Sequence, residues 1–293
     1  MDTIRISPRY LGKMNLESFC PCCFWFLIAL GFHPPFEMPM PGIMYNLDNF
    51  EKNIVDAHFQ AKGKLPNWLA DLGCVEPVEF PSKMTCEFPD YGLTMVGMPD
   101  AVFRKKDHSL YLIDYKSARY KGEDDPFMPC YESQLLGYAH LLEASDIGKV
   151  SSAALVYFEN RLGDYKGAPL DLLTKEGFSV PFGVKIHPVE IDQDGLDPLL
   201  KKFRKYADMS APPDGVEDCK DCKRIDALLN LEIKRRNIGK SLDRYDHKMQ
   251  LQILDMLARD FTEAKVAASW ASEEDIRDLC GLDVDCIPGV LDY

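Results

Sequence analysis

GMPDAVFRKKDHSLYLIDYKSA, residues 97–118, is the stretch on which the reading of this chain turns. Two hydrophobic runs flank turn-forming residues at 105–109 and predict a β-hairpin, yet Asp100, Asp114 and Lys116 stand among residues as apolar as Val102, Phe103, Leu112 and Ile113. With strands over 93–104 and 109–116 paired symmetrically about Asp107, Asp100 falls opposite Asp114. Directly opposed side chains have Cβ atoms about 4.5–5.5 Å apart, and like charges there are destabilising, so positive charge is required beside them. Alternation along the second strand puts Asp114 and Lys116 on one face with Leu110 and Leu112, and turns Tyr111, Ile113 and Tyr115 to the other. The lysine therefore reaches the same place as both carboxylates.

Two carboxylates bridged by a divalent cation, with an ammonium beside them, are equipment for phosphodiester hydrolysis. The ion activates water and offsets charge on the phosphoryl oxygens, and the lysine positions the nucleophile or stabilises developing negative charge. Hard carboxylate oxygens suit Mg²⁺ or Mn²⁺. A surface salt-bridge network would explain an isolated D-x-K tripeptide, but not an opposed Asp100 with apolar flanks.

The segment resembles the core of the PD-(D/E)XK nuclease superfamily, with Pro99-Asp100 and Asp114-Tyr115-Lys116 as its signature. It is more narrowly similar to the RecB-like branch, including the CRISPR-associated exonucleases, whose pattern adds G-x-x-D (Gly97 to Asp100) and Q-x-x-x-Y (Gln134 to Tyr138). Helical spacing puts Gln134 and Tyr138 on one face, and the resemblance implies that they line the site and contact DNA. It also implies a histidine ligand on the preceding helix, matched by His58, and a metal-ligating backbone carbonyl at Tyr115. Glu51 and His58 are spaced so that both can face the site. The activity implied is that of a metal-dependent deoxyribonuclease, an exonuclease of DNA repair, recombination or CRISPR adaptation, with DNA and proteins of those pathways as partners. A second reading is a DNA-end-binding or partner-docking protein that keeps the fold and cuts little; intact Asp100, Asp114 and Lys116 speak against it.

Ten cysteines include two C-x-x-C pairs, Cys20/Cys23 within CPCC and Cys219/Cys222 within CKDC. Together they read as a four-thiolate clasp between the N-terminal segment and the end of the core. RecB-like relatives with an iron-sulfur cluster imply a four-iron cluster here. Because no third cysteine follows soon after Cys222, either Cys22 or Cys23 must complete the set, and tetrahedral Zn²⁺ remains the alternative.

The wider chain is ordinary for a globular protein: 293 residues, 46% hydrophobic and 28% charged. Its 34 Lys plus Arg against 47 Asp plus Glu give a net charge of −13, the wrong sign for nonspecific coating of nucleic acid. Local clusters at Arg104, Lys105 and Lys106, at Arg119 and Lys121, and along Lys201, Lys202, Arg204 and Lys205 are compatible with a phosphate backbone or with solvated faces. The apolar run FWFLIALGF at 24–32 is short of the roughly 20 residues of a membrane span and lacks signal-peptide flanks, so a cytoplasmic location is expected. There is no Walker A motif.

Helical entry over 7–32, a proline-rich loop at 34–42 and a helix capped among Asn46–Asn49 precede the hairpin. Strands are expected around 76–88, 93–104 and 109–116, a helix over 130–144, strands at 151–158 and 180–191, and a helix over 196–207. Pro181 and Pro188 mark the 180–191 strand as an edge. The order predicts an α/β, restriction-endonuclease-like core with a mixed central sheet flanked by helices over 1–224, then a helical, acidic extension over 225–293.

Overall fold

The computed structural model describes residues 3–33, 41–165 and 170–229. The chain divides into two units, Met1–Asp214 and Gly215–Tyr293, so the expected boundary after residue 224 lies inside the second. The first unit begins with strand β1 (Ile4–Ile6) and helices α1 (Pro8–Lys13), α2 (Pro21–Ala29), α3 (Gly42–Lys62) and α4 (Asn67–Ala70). Strands β2 (Cys74–Pro77), β3 (Met84–Phe88), β4 (Leu93–Gly97), β5 (Ala101–Lys105) and β6 (Leu110–Lys116) follow, then helix α5 (Met128–Ala144) and strand β7 (Val150–Asn160). A small hairpin, β8 (Leu173–Thr174) and β9 (Gly177–Phe178), leads to β10 (Phe182–Val189) and helix α6 (Leu196–Ala207). In the second unit, the described residues include a helix over 220–229; the helices expected beyond it lie outside the described residues.

The central sheet is mixed and five-stranded, in the order β10-β7-β6-β5-β2. β5 and β6 form the antiparallel hairpin with Val102 opposite Leu112 and Ala101 opposite Ile113, so the register expected from symmetry holds. α5 carries the chain from β6 to its parallel neighbour β7. Such a crossover needs a helix on one face, and a buried parallel strand needs cover on both. β6 has that cover: its first six residues are buried. Leu110 and Leu112 join Leu135, Ala139 and Leu142 of α5 in one core, while Tyr111, Ile113 and Tyr115 join Val55, Leu65 and Leu69 in the other. β10 takes the predicted edge, where Pro188 lies opposite Ala154.

Three expectations need correction. The run 93–104 is two strands: β4 belongs to a separate three-stranded sheet, β1-β4-β3, and β5 to the central one. Met98, Pro99 and Asp100 form the break, where proline supplies no amide donor to continue a ladder. The run 76–88 likewise divides into β2 and β3 around Pro81. Finally, α3 starts at Gly42 after Pro41, not among Asn46–Asn49. Proline tolerates a helix start because no amide is needed there, and the Asp48–Lys52 pair at i,i+4 supports the early turns. No helix among the described residues is long and apolar enough to cross a membrane.

Candidate active site

Asp100 sits at the passage from one sheet to the other, immediately before β5, and Asp114 near the end of β6. Each carboxylate is aimed by a neutral donor on one oxygen. Tyr115 N–H donates to Asp100 Oδ2 at 2.9 Å, and Gln134 Nε2 donates to Asp114 Oδ1 at 3.1 Å. The other oxygens meet ammonium groups: Lys52 Nζ is 3.1 Å from Asp100 Oδ1, and Lys116 Nζ is 2.5 Å from Asp114 Oδ2. Lys116 also lies over the Tyr131 ring, 4.1 Å from its centroid, which limits the directions its charge can take.

A third carboxylate comes from α3. Glu51 is only 3% exposed; Ser117 Oγ donates to its Oε2 at 2.7 Å, and Oε1 is buried with no hydrogen-bond partner. Asp114 Oδ2, despite its ion contact with Lys116, is likewise without a partner in hydrogen-bond geometry. Buried carboxylate oxygens left in this condition are costly unless a cation satisfies them. Three hard oxygens, Asp114 Oδ2, Asp100 Oδ1 and Glu51 Oε1, remain after the neutral donors are assigned, a donor set that fits a divalent ion of the Mg²⁺ or Mn²⁺ type.

Burial dominates the electrostatics. The Asp114 carboxyl is pushed up to about 6 by desolvation, with Lys116 opposing and the Asp100 charge adding to the rise. Glu51 is raised for the same first reason, against the Ser117 bond and with help from Asp48 and Asp100. For Lys52, burial disfavours the charge, but its bonds to Asp48 and Asp100 outweigh that cost and raise it above an ordinary lysine. An acid-rich pocket of this kind holds protons or cations avidly.

The helix face carrying Gln134 and Tyr138 is turned inward. Gln134 is 9% exposed and also donates to Tyr138 Oη at 3.2 Å, so its amide orients Asp114 directly. The two sequence motifs meet at Gly97: a Cβ there would lie 2.9 Å from Tyr138 Cε1 and 3.2 Å from Leu141 Cδ1, so β4 approaches α5 closely only because this residue has no side chain.

The expected ligand His58 has a neighbour of its own. Its Nδ1 lies 3.0 Å from the Lys64 carbonyl oxygen at the far end of α3, whereas Glu51, two turns earlier, faces the acidic pocket. The Tyr115 ring points into the core beneath α3, while its amide serves Asp100. Of the basic residues compatible with either a phosphate backbone or a solvated face, several have local partners: Arg104 pairs with Glu76, Lys105 reaches Ser151 and Ser152, Lys202 donates to the Met14 carbonyl, and Arg204 pairs with Asp208. Lys106, Arg119, Lys121, Lys201 and Lys205 are exposed.

Lys52, Ser117 and Tyr131 are site residues that the motif reading overlooked. Tyr131 stands three positions before Gln134 and Ser117 directly follows Lys116, so helix and strand neighbours of motif residues were the available signal. The cysteine pairs are each compact. Cys20, at the start of α2, and Cys23 have sulfurs within 4.8 Å of one another, as do Cys219 and Cys222 in the second unit. A C-x-x-C pair with sulfurs this close is arranged to bind one ion through both thiolates.

No curated protein matches this chain. Among solved structures, "Crystal structure of SSO0001" is similar at a TM-score of 0.37 and 14% identity, covering 73% of this chain and 81% of that one. The family model of the PD-(D/E)XK nuclease superfamily matches residues 58–227, a span that includes Asp100, Asp114, Lys116 and the β5-β6-α5-β7 core that holds them. By that match over more than half its length, the chain belongs to the PD-(D/E)XK nuclease superfamily, whose members use divalent metals to cut nucleic acid.

Proposed function

We propose that this protein is a Mg²⁺- or Mn²⁺-dependent deoxyribonuclease of the RecB-like branch, acting as an exonuclease in DNA repair, recombination or CRISPR adaptation. The observation that carries the catalytic reading is the division of labour at the carboxylates: neutral donors fix one oxygen of Asp100, Asp114 and Glu51, and the other is left to positive charge or to nothing. Asp100, Asp114 and Glu51, with the Tyr115 carbonyl, would hold the ion, Glu51 standing where the resemblance suggests His58. When bound, the ion supplies an activated water and charge stabilisation at the phosphorus. Lys116, between Asp114 and the Tyr131 ring, places its ammonium to meet the attacking water or the non-bridging phosphate oxygen. Gln134 keeps Asp114 in its orientation, and Tyr138, held by Gln134 and packed on Gly97, sets the position of the helix face beside the substrate.

We further propose that Cys20, Cys23, Cys219 and Cys222 bind one metal centre, an iron-sulfur cluster or a zinc ion, on the strength of the two chelating pairs. Metal and labile-sulfide analysis of anaerobically purified protein distinguishes cluster from zinc, and the absence of both defeats that assignment. The nuclease reading is tested with end-labelled linear DNA and with circular DNA in Mn²⁺. An exonuclease degrades the linear substrate and spares the closed circle; no cleavage of either by the wild type would favour the binding-protein reading.

A further inference from the structure

Lys52 projects from α3 beside Glu51, and two carboxylates share its ammonium: Asp48 Oδ2 at 2.8 Å and Asp100 Oδ1 at 3.1 Å. Asp100 Oδ1 is the oxygen that remains once the Tyr115 amide has taken Oδ2. It is therefore the atom through which Asp100 would bind a divalent ion, and an ammonium already stands against it. Asp48 lies one turn back on the same helix, so the Lys52–Asp48 contact is an ordinary i,i+4 pair that does not depend on what happens at Asp100.

Two cations compete for one oxygen here. A Mg²⁺ ion would approach to about 2.0–2.1 Å, with twice the charge of the ammonium, and the two would repel strongly at adjacent positions. The ammonium is the group able to move: Lys52 has a flexible stem, its side chain is 32% exposed, and its alternative acceptor is already within bonding distance. Without an ion, the same ammonium moderates repulsion among Asp48, Glu51, Asp100 and Asp114, all of which act on one another or on Lys52.

Building on the metal-site reading, we propose that Lys52 is a built-in counter-ion for Asp100, which occupies the divalent-ion position in the metal-free protein and transfers to Asp48 when the ion binds. Two consequences follow. Lys52 sets the concentration of metal at which the site fills, and after the transfer its charge is held by Asp48 alone. Lys52 is thus a positioning residue that acts through Asp100, not a metal ligand.

The test is a double-mutant cycle on Mn²⁺ binding, measured by titration calorimetry on the full chain at fixed ionic strength and without DNA. Lys52→Met removes the competitor and should tighten Mn²⁺ binding by about fivefold, equivalent to about 1 kcal/mol. Asp48→Asn removes the acceptor that receives Lys52 and should weaken binding. In the Lys52→Met background Asp48→Asn should weaken binding by much less, because the part that runs through the lysine is gone and only the direct action of the Asp48 charge on Glu51 is left. Unchanged or weaker binding in Lys52→Met, or effects of the two substitutions that simply add, would overturn the proposal; Lys52→Gln repeats the measurement if the methionine variant does not fold. Asp114→Ala separates the two readings. If Mn²⁺ binding is lost in Asp114→Ala but Lys52→Met behaves as wild type, Lys52 alone is misassigned, whereas Mn²⁺ binding that survives Asp114→Ala removes the metal site and the counter-ion together.

Discussion

Strand β6 and helix α3 both deliver acids to the site, and they do so under different constraints. β6 is buried on both faces, so alternation alone decides that Asp114 shares a side with Leu110 and Leu112. α3 is buried only at Glu51 and Val55, and its early turns expose Ile43, Tyr45 and Phe50. A side chain on β6 has one place to go, whereas on α3 several rotations of the helix would satisfy the sequence. The strand therefore fixes its acid in place, and the helix adds one that is tuned by its neighbours.

That contrast predicts unequal losses when charge is removed without changing shape. Asp114→Asn should abolish cleavage by removing a charged ligand of the ion, and Lys116→Met should lower kcat by about 10²–10³ by removing the ammonium that acts on the developing negative charge. Glu51→Gln, on the helix, should retain measurable turnover at saturating Mn²⁺. Steady-state assays on folded variants decide it: comparable, complete loss in Glu51→Gln would make the helix as essential as the strand.

A smaller effect is expected one layer out. Gln134→Ala leaves Asp114 Oδ1 without its amide donor and should weaken Mn²⁺ affinity by about 10- to 100-fold. Tyr138→Ala removes only an acceptor for Gln134 and a packing partner of Gly97, so its metal affinity should change less than its cleavage of DNA. Calorimetric titration of both variants checks the split.

Protonation acts on both elements, since burial raises Glu51 as well as Asp114. Because burial raises Asp114 to about 6, its proton competes with the ion below that pH and has already left above it. Mn²⁺ affinity should therefore fall by about tenfold for each pH unit below about 6 and level off above it. A flat profile from pH 5 to 8 would show that Asp114 is ionised throughout and that its surroundings are more polar than the structure indicates.

Packing gives the last comparison. Ile113→Ala, at a position with no exposure in β6, should cost about 2–5 kcal/mol of stability. Ile54→Ala, 39% exposed on α3, should cost under about 0.5 kcal/mol. Equal losses in denaturant unfolding would mean that the exposed face of α3 is covered in solution.

What could be read in advance follows the same division. The hairpin register, the crossover helix and the edge position of β10 were legible because period-two alternation and proline placement are local signals. The break at Pro99 was also encoded locally, but the apolar run across 93–104 masked it; only the three-dimensional structure shows two sheets meeting at Asp100. On α3, Glu51 and His58 are seven residues apart and share a face by spacing, so only the family resemblance, and no local signal, favoured His58. Their surroundings are tertiary: Glu51 meets Ser117 just beyond the end of β6, while His58 reaches the Lys64 carbonyl. The partners of Lys52 and Lys116 are tertiary facts of the same kind, since an Asp–Lys pair at i,i+4 looks identical on any solvated helix.

In the proposed site Asp100, Asp114 and Glu51 turn one oxygen each toward a common divalent ion. Mn²⁺ introduced into crystals of the protein can be located by its anomalous scattering. A single strong peak is expected, bonded directly to Asp114 Oδ2, Asp100 Oδ1 and Glu51 Oε1, with Lys52 withdrawn from Asp100. A peak ligated by His58 with Glu51 still bound only to Ser117, or no peak at these carboxylates in protein that cleaves DNA, would contradict it.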